Sequence, residues 1–348
     1  MSLVRLRREA LGLTQVALAA RVGVTRQTLS AIEAGSASPG VGLALALGRA
    51  LGTTVEALFD DPAPRATTAT PARDLREGDR VWVGRVHGRD VAHALGSSTD
   101  RSSGTVARLG ASSVEVTAHG ESRLRKIFLA GCAQAIGILA AWARDTQLDV
   151  AWIPANNDDA KRLLAERLVH GAVIHAVADE ASARTARNAT LGRVELVRFG
   201  SWEAGLVVAQ SRTTTTLRDA LARPSRLALR ERGSGAARLF EGLRRRARAA
   251  TPAAARTARS HDEAADLVLR GDVDAALANR TAAHVRGLGF VPLARERVDL
   301  LLDHEAFEED AASKLTATLR LRGLARDIAM TGHDSSELGI SEGWVTLQ

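Results

Sequence analysis

The side chains with the clearest chemistry lie close together near the N-terminus and are Arg26, Gln27, Thr28 and Ser30. A guanidinium group can donate two hydrogen bonds to guanine, a carboxamide can pair with adenine, and hydroxyl groups can reach bases or phosphates. Leu29 and Ile32 have the spacing that turns both side chains inward on a helix. The pattern therefore predicts a helix whose polar outer face can contact base edges in a major groove.

A second helix is expected just before it. Leu18 and Val22 are four residues apart and predict a narrow apolar stripe on one face. Gly23 suits the left-handed conformation just past a helix end, and Thr25 can cap the helix that follows. Residues 14–35 thus predict two short helices folded across a tight turn.

Residues 1–60 resemble the lambda-repressor-like helix-turn-helix family, of the Xre type. The resemblance is carried by LGLTQVALAARVGVTRQTLSAIEAG, the turn at Pro39, VGLALALGRALG and VEALF. It implies that Gln15 holds a DNA phosphate and that a buried pair, Arg8 and Glu33, ties the first helix to the DNA-reading helix. The expected DNA-contacting residues are Gln15, Thr25, Arg26, Gln27, Thr28 and Ser30. The alternative is an ordinary helical hairpin whose polar residues are merely solvated.

Three loops further along the chain carry groups suited to ligand binding. Gly131 and Cys132 follow the apolar strand KIFLAG, while Asn156 and Asn157 follow LDVAWIPA. A third loop, RGSG, precedes a helix that begins near Ala236. Backbone N–H groups at helix starts, joined by a serine hydroxyl, can hold an oxyanion. The candidate effector-binding residues are Gly131, Cys132, Asn156, Asn157, Arg232, Ser234, Gly235 and Arg238.

The elements that must position these loops alternate between strand and helix from residue 126 onward. AVIHAVA, VELVRFG, EAGLVVA, RLALRE, DAALA and VDLLLD are typical of strands, and SHDEAADLVLRG is typical of a helix. The alternation predicts a mainly parallel sheet with helices on both faces. Ligands of such sheets bind beyond the carboxyl ends of the strands, where the three loops are expected.

Two different stretches separate the helical and α/β parts. Residues 61–74 are rich in Pro, Thr and Ala without a periodic apolar face, which predicts a linker. In residues 75–125, Val81, Val83 and Val86 alternate with polar neighbours and glycine breaks. This pattern predicts a small β-rich segment that serves as a spacer or a dimerisation module.

Residues 126–348 resemble the periplasmic-binding-protein-like domain fused to helix-turn-helix regulators and related to the type II, molybdate-type solute-binding fold. The resemblance is carried, in the family's order, by AGCAQAIGILAAWA, GAVIHAV, EAGLVVA, LRERGSGAARLF, SHDEAADLVLRGDVDAALA and GFVPLARERVDLLL. It implies two lobes around a ligand cleft, with chain crossings near residues 205–208 and 290–293. Ala133 and Gln134 replace the family's acidic residue and proline, so molybdate or tungstate and a cleft without ligand stay open as alternatives.

Composition limits the remaining chemistry. The chain of 348 residues has a net charge of +7 and a pI near 10.8, which suits a polyanionic partner. Its single cysteine, Cys132, excludes an internal disulfide and a cysteine-rich zinc site. His170 and His175 are poorly spaced for one helix face, and His261 fits a helix start, so neither a metal site nor a cofactor is expected. The charged N-terminus and the lack of a long apolar run predict a cytoplasmic protein without a signal peptide or membrane span.

These features predict a multidomain chain with an all-α helix-turn-helix domain, a small β-rich segment and an α/β two-lobed periplasmic-binding-protein-like domain. The predicted function is a one-component transcriptional regulator, without catalytic residues, that binds a double-stranded DNA operator as a homodimer and responds to a small molecule or oxyanion. One alternative is a constitutive repressor whose C-terminal lobe only dimerises. Another is a cytoplasmic small-molecule-binding protein or enzyme whose helix-turn-helix contacts proteins.

Overall fold

Short helices form the N-terminal unit, Met1–Arg65. The structure is a computed structural model, and it describes residues 3–34, 36–59, 65–96, 102–118, 126–177, 193–212, 216–248, 255–308 and 310–346. The helices of the N-terminal unit are α1 (Leu3–Ala10), α2 (Gln15–Val22), α3 (Arg26–Glu33), α4 (Val41–Ala50) and α5 (Val55–Phe59). Their apolar faces share a core made by Val4, Leu18, Leu29, Ile32, Leu47, Leu51 and Leu58. Burial of these side chains stabilises helices too short to be stable alone.

The turn between α2 and α3 is set by its capping residues. Gly23 ends α2 with a φ of 71°, a left-handed conformation in which a side chain would be strained. Thr25 then opens α3, because its hydroxyl accepts a hydrogen bond from the Thr28 N–H at 3.1 Å. The predicted helix-turn-helix is confirmed in both helices and in the turn.

A closed barrel begins the second unit, Ala66–Gln348. Its strands, in spatial order β1, β3, β2, β4 and β5, are β1 (Arg65–Pro71), β2 (Arg80–Val86), β3 (Arg89–Ala94), β4 (Gly104–Leu109) and β5 (Val114–Ala118). Val81, Val83, Val106 and Val116 fill its interior. The predicted β-rich segment is present, although residues 97–101 and 119–125 lie outside the described residues.

The barrel corrects one prediction. The stretch predicted as a linker, residues 61–74, contains strand β1, which pairs in parallel with β3 at Thr70 and Pro71. Ala69 is the buried residue of this strand, and a single alanine gives no apolar periodicity to detect. Pairing between residues 21 positions apart, such as Thr70 and Val91, cannot be read from local composition, so the linker prediction was wrong from Arg65 to Pro71. Residues 61–64 lie outside the described part of the chain.

The rest of the second unit is one sheet covered by helices. Its strands are β6 (Ile127–Gly131), β7 (Val150–Pro154), β8 (Gly171–Val177), β9 (Arg193–Val208), β10 (Leu227–Arg230), β11 (Arg256–Ala258), β12 (Ala275–Asn279), β13 (Gly289–Leu302) and β14 (Ser341–Thr346). The helices are α6 (Ala135–Ala143), α7 (Asn157–Ala165), α8 (Leu217–Leu221), α9 (Gly235–Arg246), α10 (His261–Leu269), α11 (Arg280–His284), α12 (Ala311–Leu319) and α13 (Arg322–Ala329). Across the described ranges, no helix is long and apolar enough to cross a membrane.

Two long strands run through both halves of the sheet, whose order is β11, β10, β12, β9, β13, β8, β6, β7. The first lobe is built on β6, β7 and β8, and the second lobe on β10, β11 and β12. Strand β9 pairs with β12 through residues 204–208, whereas β13 pairs with β8 through residues 296–302. The segments predicted as chain crossings therefore lie within β9 and β13, which confirms a two-lobed α/β fold.

The direction of the central strands differs from the prediction. Pairs within each lobe, such as β6 with β7 and β10 with β12, are parallel. Strands β9 and β13 run antiparallel to each other and to their lobe neighbours. Alternating strands and helices reveal crossover units but not the direction of a strand that joins two lobes, so "mainly parallel" was wrong for the centre of the sheet.

The barrel packs directly on the first lobe. His93 of β3 has Nε2 at 2.8 Å from the Leu168 carbonyl oxygen, and His170 has Nε2 at 3.0 Å from the Arg85 carbonyl oxygen. Gly84 lies so close that an added Cβ would be 2.2 Å from the Lys126 carbonyl oxygen. The barrel thus shares a buried seam with the α/β fold.

Candidate functional site

The outer face of α3 presents the predicted DNA-reading residues to solvent. Arg26, Gln27, Thr28 and Ser30 are exposed, while Leu29 and Ile32 on the opposite face are buried. The Thr25 and Thr28 hydroxyl groups lie 2.9 Å apart and hydrogen-bond to each other. Arg26 and Gln27 therefore offer the long, adaptable donors of this face, and Thr25 acts as the helix cap.

A buried ion pair holds α3 against α1. Arg8 donates from Nε to Glu33 Oε1 at 2.6 Å and from Nη2 to Oε2 at 3.1 Å. Burial raises the pKa of Glu33, but the hydrogen bonds from Arg8 and Gln15 outweigh burial and hold this pKa below its usual value. The Arg8–Glu33 pair implied by the family resemblance is confirmed.

Gln15 has a structural partner that the sequence analysis did not foresee. Its side-chain amide donates to Glu33 Oε2 at 2.9 Å, so Gln15 links the start of α2 to the end of α3. The amide is half-buried in this network. A phosphate contact by Gln15 stays a prediction, and it would have to share the amide with Glu33.

The loops predicted to bind an effector meet where the two lobes face each other; we call this region the interlobe site. It comprises the ends of β6 and β7 from the first lobe and the starts of α9, α10 and α11 from the second. The Asp158 N–H donates to the Gly233 carbonyl oxygen at 3.3 Å across the lobes. Arg238 and Asp158 form an exposed ion pair of 2.6 Å across the same boundary.

Several predicted ligand residues are already used to hold this structure together. Asn156 and Ser234 are the N-caps of α7 and α9. The Ser234 hydroxyl also donates to the Glu231 carbonyl oxygen at 2.8 Å. Asn157 donates to the carbonyl oxygen of His175 at 2.6 Å and accepts from the N–H of the same residue at 3.3 Å. These side chains shape the interlobe site rather than point free donors into it.

The remaining predicted residues differ in their surroundings. Arg232 is exposed, and Gly131 ends β6 beside Val173. Gly235 starts α9 against the His175 ring, where an added Cβ would lie 2.4 Å from His175 Cε1. The glycine therefore lets the helix start approach the imidazole closely.

Cys132 has two histidine neighbours. Its Sγ lies 3.2 Å from His175 Nε2 and 3.9 Å from His261 Nε2. The other ring nitrogen of His175, Nδ1, donates to Glu296 Oε2 at 2.8 Å. The same carboxylate oxygen accepts a hydrogen bond of 2.7 Å from Trp202 Nε1. One thiol and two imidazoles thus converge, with a buried carboxylate behind one imidazole.

Burial and neighbouring charges shift the pKa values of the two histidines in this cluster in opposite directions. Burial lowers the pKa of His175, but Glu296 and Cys132 outweigh burial and raise the pKa to about 10. Burial also dominates at His261, whose pKa lies well below the usual value, with nearby Arg230 lowering it further. Glu296 and Cys132 thus favour the protonated form of His175, whereas burial favours the neutral form of His261.

Three buried nitrogen atoms have no hydrogen-bond partner among the described residues, and these are Arg230 Nη1, His261 Nδ1 and His333 Nε2. The Trp202 ring lies 5.7 Å from the His261 ring and 5.2 Å from the His333 ring. A buried polar group without a partner costs about 1–3 kcal/mol, so such groups often mark a ligand position.

Sequence reasoning missed this cluster. It expected a packing or surface role for His175 and explained His261 by capping, whereas Ser260 alone caps α10 and His261 turns Nε2 toward Cys132. The residues are more than forty positions apart in the chain, so no local spacing connects them. Only the position of Cys132 and His175 at neighbouring strands offered a signal.

Several solved structures resemble part of this chain. An ABC-type phosphate transport receptor from Vibrio cholerae is 14% identical, with a TM-score of 0.43, covering 60% of this chain and 99% of that one. The effector-binding domain of QuiR in complex with shikimate is 10% identical, with a TM-score of 0.40, over 56% of this chain and 94% of that one. Full-length CbnR complexed with the target DNA is 16% identical, with a TM-score of 0.39, over 56% of this chain and 69% of that one.

Family comparisons cover both units of the chain. An uncharacterised HTH-type transcriptional regulator from Methanothermobacter thermautotrophicus is 57% identical over 51 residues, which are 15% of this chain and 74% of the relative. Residues 4–58 match the family model described as helix-turn-helix, and residues 139–320, just over half of the chain, match the model described as PBP superfamily domain. The chain therefore belongs to the helix-turn-helix transcriptional regulators and, through its C-terminal part, to the PBP superfamily.

Proposed function

We propose that this regulator is a cytoplasmic homodimer that binds a double-stranded DNA operator and responds to a small molecule or oxyanion at the interlobe site. Residues 1–60 would read DNA, and residues 126–348 would bind the effector. Two copies are proposed because small DNA readers of this type reach useful affinity through paired half-sites. Effector binding regulates the protein only if it favours one lobe arrangement over another.

The exposed face of α3 is the observation that carries the DNA-binding part. Arg26 and Gln27 extend from a helix that is fixed at its start by the Thr25 cap and at its end by the Arg8–Glu33 pair. A rigid helix lets such side chains meet base edges without a large loss of entropy. The net charge of +7 favours association with a polyanion.

The unpaired buried donors support the effector part. Arg230 donates to Glu231 through Nε and Nη2 and to the Arg259 carbonyl oxygen just before α10, but its Nη1 has no partner among the described residues. Helix N-termini and a buried guanidinium both favour an anion. An oxyanion would satisfy donors that the described residues leave unpaired.

Operator recognition can be tested with the full-length protein. A DNA sequence selected from a random pool should be bound specifically, and Arg26→Ala or Gln27→Ala should each weaken binding by about 1–3 kcal/mol and relax base preference at one position. Arg322→Ala is the matched control because Arg322 is exposed on α13 in the second unit. Equal binding by all three variants would contradict DNA reading by α3.

Effector binding can be tested by thermal unfolding against a panel of oxyanions and small metabolites. A ligand held only by the folded protein must raise the unfolding midpoint with concentration. We expect one oxyanion class to do so, and we expect Arg230→Met to remove the effect. No response across the panel would favour a constitutive repressor whose C-terminal lobe only dimerises.

A further inference from the structure

The thiol and two imidazoles of the interlobe site form a compact set of metal-binding atoms. Cys132 Sγ, His175 Nε2 and His261 Nε2 all lie within 4.8 Å of one another. The two histidines are buried and Cys132 is half-buried, so these atoms are largely shielded from bulk water. Such a set differs from exposed acidic clusters, which are common on protein surfaces without any ion.

The spacing suits one tetrahedral ion. Zinc binds sulfur at about 2.3 Å and imidazole nitrogen at about 2.0–2.1 Å, which places sulfur and nitrogen ligands about 3.5 Å apart. The sulfur here lies 3.2 Å from one nitrogen and 3.9 Å from the other. Shifts of a few tenths of an ångström would bring both sulfur–nitrogen distances to the tetrahedral value, while the two imidazole nitrogens, which lie within 4.8 Å of each other, would have to come to about 3.3 Å.

The His175 ring is oriented as metal-binding imidazoles usually are. Its Nδ1 donates to Glu296 and its Nε2 faces the Cys132 sulfur, so a bound ion would take the place of the proton on Nε2. A carboxylate behind a ligating histidine fixes the ring and increases its basicity. Glu296 is itself fixed by Trp202, and Asn157 holds the His175 backbone from both sides. The first-lobe half of the set is therefore preorganised.

We propose that Cys132, His175 and His261 bind one divalent transition-metal ion of the zinc type. One thiolate with two imidazoles is a donor set for zinc, cobalt, nickel or copper, and it is unsuited to magnesium or calcium, which take oxygen ligands. Three protein ligands leave a fourth position for water or an anion, as in zinc sites that are not purely structural.

The proposed ion would join the two lobes. Cys132 and His175 belong to the first lobe, whereas His261 is the first residue of α10 in the second lobe. An ion that binds all three atoms favours the arrangement in which the lobes meet, and so meets the requirement for an effector. The binding site stands on its own geometry; only its regulatory role rests on the proposed function.

Metal binding can be measured on the full-length protein, reduced and stripped of metal with a chelator. Titration with zinc followed by calorimetry should show one ion per chain, and cobalt(II) should give the intense thiolate-to-cobalt absorption of a tetrahedral site. Cys132→Ser should remove that absorption, and both Cys132→Ser and His261→Gln should weaken zinc binding at least 100-fold. His284→Gln is the matched control, because His284 is exposed and outside the cluster.

A further variant separates orientation from ligation. Glu296→Gln should keep the cobalt absorption but weaken zinc binding about 10–100-fold, because the carboxylate only orients His175. Circular dichroism without metal checks that each variant folds, and His261→Gln decides the test if Cys132→Ser does not fold. Zinc binding that is unchanged in both ligand variants would overturn the site.

Operator binding with and without zinc keeps the two proposals apart. A change in operator affinity that is lost in His261→Gln would support the ion as effector. Failure to bind zinc by a protein that still binds its operator would overturn the metal site alone. Failure to bind any operator, by a protein that binds zinc, would overturn the proposed function and leave the site standing.

Discussion

Glu33 is a carboxylate removed from water and held by donors from two other helices. Arg8 of α1 gives it two hydrogen bonds and Gln15 of α2 gives it a third. The pKa of Glu33 is held below its ordinary value, so its contribution to stability is present above the unfolded-state pKa and lost as pH falls through the lowered value. This residue couples the position of α3 to the rest of its unit.

Replacing Arg8 by methionine should be strongly destabilising. The substitution leaves the Glu33 charge buried without its cation, which costs about 3–5 kcal/mol when a buried pair is broken on one side. Amide hydrogen exchange of peptides from α1 to α3, in the full-length protein, would measure the loss. Arg5→Met is the control, since the Arg5–Glu9 pair is exposed and should contribute at most about 1 kcal/mol. Equal losses of hydrogen-exchange protection in the two variants would show that the buried pair contributes no more to stability than the exposed pair.

The two sites differ in how far individual residues could be predicted. Arg26, Gln27 and the Arg8–Glu33 pair lie on one continuous motif, where helical spacing and family resemblance define the neighbours. Cys132 was expected in the effector site on the basis of its place after a strand. Its partners His175 and His261 were not, because their meeting depends on how two lobes pack, which no local pattern encodes.

At the scale of elements, the start of α9 brings the second lobe close to the His175 ring. Gly235 occupies this start, where an added Cβ would lie 2.7 Å from His175 Nδ1 and 3.0 Å from Asn157 Nδ2. The imidazole cannot move away easily because Glu296 and Cys132 hold it on both sides. Helix α9 also carries Gly242, which is exposed and where an added Cβ would meet no atom within 4 Å.

These two glycines predict opposite outcomes for the same substitution. Gly235→Ala should destabilise the second unit by about 1–3 kcal/mol, because the added methyl overpacks a fixed ring. Gly242→Ala should stabilise it by up to about 1 kcal/mol through helix propensity. Chemical denaturation followed by circular dichroism would compare them, and a stabilising Gly235→Ala would contradict the close approach of α9 to the imidazole.

Elements also show where sequence patterns stop being informative. The helices α2 and α3 were predicted with their caps because capping depends on residues a few positions apart. Strand β1 was missed because it has one buried alanine and depends on pairing with β3. Strand β9 was predicted in two pieces, and only the VDLLLD end of β13 was predicted as a strand, since Gly200 and the bulge at Pro292 interrupt their patterns although the pairing continues.

At the scale of the whole molecule, the seam between barrel and first lobe is built on buried neutral histidines. Burial lowers the pKa of His93 to about 4 and that of His170 to about 3, despite the hydrogen bonds that each makes to a backbone carbonyl. His170 Nδ1 also accepts from the Phe128 N–H, so a proton on Nδ1 would replace this hydrogen bond with a repulsion. Both rings must remain neutral for the seam to stay closed.

The contact between the barrel and the first lobe should therefore lose stability as the pH falls. Because the folded pKa of each histidine is below its unfolded value near 6.5, stability is present above that value and lost as pH falls below it. Each histidine should cost about 2 kcal/mol of unfolding free energy at pH 5 relative to neutral pH. Chemical denaturation of the second unit between pH 5 and pH 8 would measure this slope.

A glutamine variant tests the origin of that slope. His93→Gln keeps a donor for the Leu168 carbonyl oxygen but cannot titrate, so the dependence on pH should become shallower. His284→Gln removes an exposed histidine and should leave the slope unchanged. Identical slopes in the parent and in His93→Gln would assign the acid sensitivity to other groups.

The order of strands in the sheet has a consequence for synthesis on the ribosome. Strand β13 lies between β8 and β9, although it is made long after both. Until residue 302 has emerged, β8 and β9 each keep an unpaired edge, and neither lobe can be completed. The helix-turn-helix unit emerges first and needs none of these strands, so the nascent chain carries a finished helix-turn-helix unit well before its C-terminal half can fold.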